Sequence, residues 1–122
     1  MQPLMSAEEG FLAFPEAELA TLEHAKVVVQ QIPYEHSSSY VMGSDKGPAA
    51  MVEASHFVEF YDEEIDREAY KNFGIATLKP IDFTGAVDAA AVLAPGALRV
   101  PRAEQVPARG VEVLVLHDRG LE

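Results

Sequence analysis

The chain has 122 residues, is 48% hydrophobic, contains no cysteine and carries a formal net charge of −11. That size and hydrophobic share point to one small globular core, and the lack of thiols excludes disulfide scaffolds, thiolate zinc sites and cysteine nucleophiles. Nine basic residues scattered among twenty acidic ones argue against a nucleic-acid partner, whose phosphates demand clustered Lys and Arg.

The first residues mix apolar anchors (Leu4, Phe11, Leu12, Phe14) with acids. Glu8 and Glu9 stand where a secretory leader needs a basic start and an unbroken apolar run. No apolar stretch approaches the roughly 20 residues of a membrane helix, so no membrane partner and a cytoplasmic location are expected. Residues 1–24 read as a lead segment packed on the body, with a short helix over Glu16 to His24 following Pro15.

Lys26 to Ile32 holds three consecutive valines and is closed by Pro33, the pattern of a strand buried on both faces of a parallel sheet. Tyr34 to Lys46, rich in Ser and Gly, reads as a loop. Gly47-Pro48 opens a helix, with Ser44 or Asp45 available as its cap. Met51, Ala54, Val58, Tyr61 and Ile65 recur at spacings of three and four and predict a long helix with that apolar face. Glu53, Glu59, Asp62 and Glu63 lie on its wet side. Gly74 to Leu78 reads as a second strand stopped by Pro80, completing a βαβ unit. The alanine-rich run from Gly85 to Leu93 predicts a helix ended by Pro95-Gly96, and Val111 to Leu116 a third strand.

An ordered set of residues carries a family likeness: Val27-Val28-Val29, Ile32-Pro33-Tyr34-Glu35, Ser38-Ser39-Tyr40, Gly43, Gly47-Pro48, Glu53-Ala54-Ser55, the run Glu59 to Glu64, and Gly74 to Leu78 leading into Asp82-Phe83-Thr84-Gly85. Together they resemble the N-terminal part of agmatinases in the arginase/agmatinase, or ureohydrolase, superfamily. The resemblance implies an α/β fold, a partial three-layer α/β/α arrangement with a mainly parallel sheet that is arginase-like and incomplete. It divides the chain into a lead segment (1–24), a family-like βαβ region (25–85) and a divergent tail (86–122) of one partial domain.

The resemblance also implies chemistry. Such enzymes hold two manganese ions that share a hydroxide, which attacks the guanidinium carbon of agmatine and releases putrescine and urea, a polyamine-biosynthetic step. Carboxylate and imidazole ligands suit manganese, and the ions make hydroxide available at neutral pH. Two of the three family ligand motifs, Asp-Ala-His-x-Asp and Asp-x-Asp-x-x-Asp-Pro, do not occur in the sequence. The first, Gly-Gly-Asp/Glu-His, has a partial counterpart in Leu116-His117-Asp118 without its glycines and acid, which leaves His117 as the candidate metal ligand. Tyr34, Glu35, His36 and Tyr40 fall on the loop that lies toward the active-site mouth in the family, and are the candidates for residues near substrate. Trimers or hexamers are the family's usual assemblies.

The family pattern stops at Ala86. A reading-frame change after Leu93 would explain this, because codons exist for Gln105-Val106-Pro107 whose plus-one frame reads Lys-Phe-Pro, a strand entry of the family. The expected identity is therefore an N-terminal fragment of an agmatinase-like ureohydrolase, inactive by itself and marginally stable because missing strands leave sheet edges open. One alternative is a non-catalytic interaction or regulatory module using Met51, Val58 and Tyr61. Another is a fragment of an enzyme for arginine, guanidinobutyrate or formiminoglutamate.

Other constellations have plainer readings. Asp62, Glu63, Glu64 and Asp66 are consecutive carboxylates that do not converge on one ion. His24, His36 and His56 lack zinc-ligand spacing. Ser37 to Ser39 have no Gly-x-Ser-x-Gly elbow around them, and Gly43 to Gly47 lacks the Gly-Lys-Ser/Thr ending of a phosphate loop.

Overall fold

Branched Cβ atoms favour extended backbone and pack well on a pleated surface, and the three valines accordingly begin β1, Val27–Gln31. β1 lies at the centre of a three-stranded sheet, between β2 (Ile75–Leu78) and β3 (Glu112–Leu116). Both pairings are parallel, with Val28 opposite Ala76 and Val113, and Gln30 opposite Leu78 and Val115. A computed structural model describes residues 3–35 and 42–82, together with the backbone of 112–116. The architecture is a partial α/β fold on a parallel sheet, as the sequence predicts. The alanine-rich run at 85–93 lies outside the described residues.

The lead segment supplies a further pairing. Leu4 forms an antiparallel bridge with Leu78, Met5 N–H donates to the Thr77 carbonyl at 2.8 Å, and Lys79 N–H donates to the Pro3 carbonyl at 2.8 Å. These bonds occupy backbone groups along the outer edge of β2, which would otherwise be open to pairing with another chain.

Because side chains alternate along a strand, the sheet has two separate apolar layers. On one face Val29 and Ile75 meet Phe14, Ala20, Val52 and Tyr70. On the other, Val28, Ala76 and Leu78 meet Ala25, with Leu22 at the margin. Phe14 is 1% exposed, and its burial is worth about 2–3 kcal/mol. Its ring stacks on Tyr70 at 5.0 Å, and Phe60 closes on Tyr70 at 4.5 Å, separations at which ring quadrupoles add to simple burial.

The Glu16 to His24 helix is reduced to a 3-10 turn, Ala17–Ala20. The reason is local: Thr21 Oγ1 donates to the Glu18 carbonyl at 2.8 Å, taking the acceptor that the next helical N–H would need.

The helix after the loop, α1 (Gly47–Ser55), starts where Gly47-Pro48 predicts, with Pro48 in its first turn. It is entered through a 3-10 turn at Ser44–Lys46, and neither Ser44 nor Asp45 caps it by a side-chain hydrogen bond. Its length and buried face both correct the sequence expectation. Pro48, Val52 and Ser55 are buried, whereas Met51, Val58, Tyr61 and Ile65 are 38%, 57%, 50% and 46% exposed, and Ala54 is also exposed. Ser55 ends the helix. Its hydroxyl donates to the Val52 carbonyl at 2.6 Å, and His56 N–H turns to the Glu53 carbonyl instead. The chain then folds into a tight turn in which the Asp62 carboxylate accepts Glu64 N–H at 2.9 Å and Asp62 bridges Arg67.

Two buried hydroxyls hold the lead segment in an unfavourable shape. Leu12 and Ala13 have φ of 68° and 46°, a left-handed conformation that costs roughly 1–2 kcal/mol per residue. Phe11 N–H donates to Thr77 Oγ1 at 2.8 Å and Leu12 N–H to Ser55 Oγ at 2.8 Å, while the Gly10 carbonyl accepts from His56 Nε2 at 2.9 Å. β2 and the end of α1 thus clamp the turn that delivers Phe14 to the core.

Gly74, immediately before β2, occupies a place where a side chain is excluded. Its φ is +58°, and an added Cβ would lie 2.5 Å from the Leu19 carbonyl oxygen. Gly74→Ala should cost more than about 2 kcal/mol in urea unfolding, whereas Gly43→Ala, with φ of +128° and open space around it, should cost about 1 kcal/mol. Equal losses at the two positions would contradict this account.

Ser55→Ala should destabilise by about 1–3 kcal/mol by stranding the Leu12 N–H. In hydrogen exchange, the Leu12 amide should lose protection in this variant while the Val28 amide exchanges only as fast as the reduced global stability dictates.

Tyr70 is 5% exposed and donates its hydroxyl to Glu16 at 3.1 Å. Burial pushes its phenol above the ordinary tyrosine value, and the Glu16 hydrogen bond and charge push the same way. A folded-state value raised above the unfolded one gives stability that is complete below about pH 10 and is lost as pH rises through the folded value. Tyr70→Phe should therefore flatten the alkaline fall of the urea midpoint above about pH 10. Superimposable alkaline limbs for the two proteins would refute the assignment.

Candidate functional site

In parallel α/β sheets the C-terminal strand ends face the usual ligand crevice, because the loops that leave them diverge there. Here β1 ends at Gln31, directly opposite Leu116 at the end of β3. The residues that follow β1, Ile32 to Glu35, therefore leave from the expected edge of the sheet. Ile32 is buried, and Pro33, Tyr34 and Glu35 are half-buried.

Of the four candidates near substrate, Tyr34 and Glu35 are described. Tyr34 N–H donates to the Ile32 carbonyl at 3.0 Å, a tight turn immediately after the strand. The Glu35 carboxylate accepts the N–H of Gly43. Gly43 then passes the chain into the 3-10 turn before α1 with a φ of 128°. Glu35 thus makes a charge-assisted bond to backbone. His36 and Tyr40 lie outside the described residues, as does His117.

Two residues that sequence reading passed over lie at the same strand end. Gln30 and Gln31 are 0% and 2% exposed, and both amides reach across to β2. Gln30 Nε2 donates to the Gln31 carbonyl at 3.0 Å and the Lys79 carbonyl at 3.2 Å, which fixes the amide orientation. Its Oε1 has no hydrogen-bond partner among the described residues. Gln31 Nε2 donates to the Leu78 carbonyl at 3.3 Å and contacts the Met5 sulfur at 3.3 Å. The signal was present in the sequence: two amides ending a strand that is buried on both faces must find partners.

A separate cleft of about 520 Å³ opens on the connection between α1 and β2. Leu12, Phe60, Tyr70 and Phe73 contribute its apolar lining, and Glu59, Asp62, Glu63 and Glu64 its carboxylates. At its border the exposed Tyr61 hydroxyl donates to the Asp66 carboxylate, and that bond pushes the phenol above its ordinary value. Glu68 pairs with Lys71, raising the lysine value.

Among the described residues no group of three or more His, Cys, Asp or Glu could hold a metal ion, so the described residues do not fit a manganese centre. No helix among them is long and apolar enough to cross a membrane.

A stretch of 57 residues is 46% identical to N(1)-aminopropylagmatine ureohydrolase of Synechocystis sp. (strain ATCC 27184 / PCC 6803 / Kazusa). It comprises 47% of this chain and 19% of that protein, so the chain matches less than a fifth of its relative's length. No family model and no solved structure matches the chain. The identity supports kinship with the arginase/agmatinase superfamily at large and with no particular member of it.

Proposed function

We propose that the chain corresponds to the N-terminal part of an agmatinase-type ureohydrolase, supplying the opening βαβ unit of the sheet and no complete catalytic centre. The observation that carries this reading is the 46% identity over 57 residues, and the parallel pairing of β1 with β2 across α1 is compatible with it. In the parent enzyme, agmatine would be the guanidino substrate, with putrescine and urea as products. Arginine, guanidinobutyrate and formiminoglutamate are the competing substrates. Manganese, a homo-oligomeric assembly and a cytoplasmic location belong to the same proposal. Since the described residues offer no metal-ligand cluster, no hydrolytic step is assigned to them.

The second reading, a non-catalytic interaction module, is favoured by the exposure of Met51, Val58 and Tyr61. A urea-release assay addresses catalysis directly. The purified chain with added manganese should release no urea from agmatine above the protein-free rate. Turnover that vanishes on His117→Ala would overturn the non-catalytic assignment.

A further inference from the structure

The cleft on the connection between α1 and β2 is lined by none of Ile32 to Glu35, the residues that follow β1, and its surface combines apolar side chains with carboxylates. Val58 and Tyr61 line it and are 57% and 50% exposed, and Phe57 and Ile65, next to lining residues in the chain, are 84% and 46% exposed. Carboxylates from Glu59, Glu63 and Glu64 share the same stretch and are exposed. An apolar layer of the same domain is a poor occupant, because it would bury these charges unpaired. A metal ion is a poor occupant too, since no three ligands converge among the described residues.

We propose that this cleft docks a basic peptide segment of a partner protein, one in which an arginine or lysine is flanked by apolar side chains. The choice rests on charge complementarity together with the apolar lining. A guanidinium or ammonium head meets the carboxylates, and its methylene stem covers the aromatic lining, as long cationic side chains do elsewhere. The chain's net charge of −11 draws in a basic partner and repels an acidic one. The apolar border discriminates a peptide from a free amine. Phe57 and Ile65 do not line the cleft itself, so a small cation seated in it leaves them wet, whereas apolar neighbours of the arginine cover them.

The test uses the full chain, isotope-labelled, titrated with acetyl-Leu-Arg-Ala-Leu-Arg-amide and followed by amide shifts. Saturable shifts should centre on residues 57–65 and 69–73. Affinity should fall about tenfold in a Glu59→Gln/Glu63→Gln/Glu64→Gln variant, three exposed charges each worth a fraction of that, and fall again in about 0.5 M salt. Phe57→Ser should weaken the peptide but leave binding of ethylguanidinium unchanged. The proposal is overturned by any of three outcomes: no saturable shift at millimolar peptide, equal binding of the glutamine analogue acetyl-Leu-Gln-Ala-Leu-Gln-amide, or ethylguanidinium binding as tightly as the peptide. None of these depends on whether the ureohydrolase reading holds.

Discussion

Between Val28 and Gln31 every residue of β1 is withdrawn from water, while hydrogen-bonded strands lie on both of its sides. A segment in that position has no solvent to satisfy a backbone group or shelter an apolar one, so the rest of the chain must do both. That need accounts for the parallel neighbours and for Phe14, Val52 and Tyr70 on one face. It also accounts for the two glutamine amides, which reach the backbone carbonyls of Leu78 and Lys79 where β2 ends. The left-handed turn at Leu12 and Ala13 is tolerated for the same reason: its strain is offset by two hydroxyl-accepted bonds and by the burial of the ring that follows.

Much of this frame is legible in the residues. Three valines closed by proline define β1, Gly47-Pro48 defines the start of α1, and Gly74 to Leu78 defines β2 because each signal is local. The expected apolar face of the helix, Met51 to Ile65, is misleading for a non-local reason. Its periodicity is real, but Ser55 is claimed by the distant Leu12 N–H, and a helix that stops there turns Val58, Tyr61 and Ile65 away from the sheet. The Thr21 hydroxyl shortens the lead helix in the same way, through a bond that propensity alone does not foresee. The antiparallel pairing of Leu4 with Leu78 was not legible, since Pro3 to Met5 has neither the length nor the alternation of a strand.

Of the candidate site, the strand end was legible in the sequence: the residues after β1 leave the sheet at the end where α/β proteins bind ligands, and there the Glu35 carboxylate accepts the Gly43 N–H. Two amides at the end of a strand buried on both faces announce polar groups in need of partners, and the structure adds that the Gln30 nitrogen has two acceptors while its oxygen has no partner among the described residues. The acidic residues between Glu59 and Glu64 read as a solvated helix end. The structure keeps them solvated but sets them beside an aromatic-lined cleft.

The bonds that fasten the lead segment join distant parts of the chain: Phe11 to Thr77 spans 66 positions, and Glu16 to Tyr70 spans 54. Contacts of such sequence separation must await loop closure and slow folding. As the polypeptide leaves the ribosome, Phe14 and the valines of β1 emerge long before the strand and tyrosine that will cover them. The early chain therefore passes through a stage in which its most apolar residues have nothing native to bury against. The acids at positions 8, 9, 16 and 18 bracket Phe14 in the sequence, and like charge flanking an exposed apolar segment opposes its self-association.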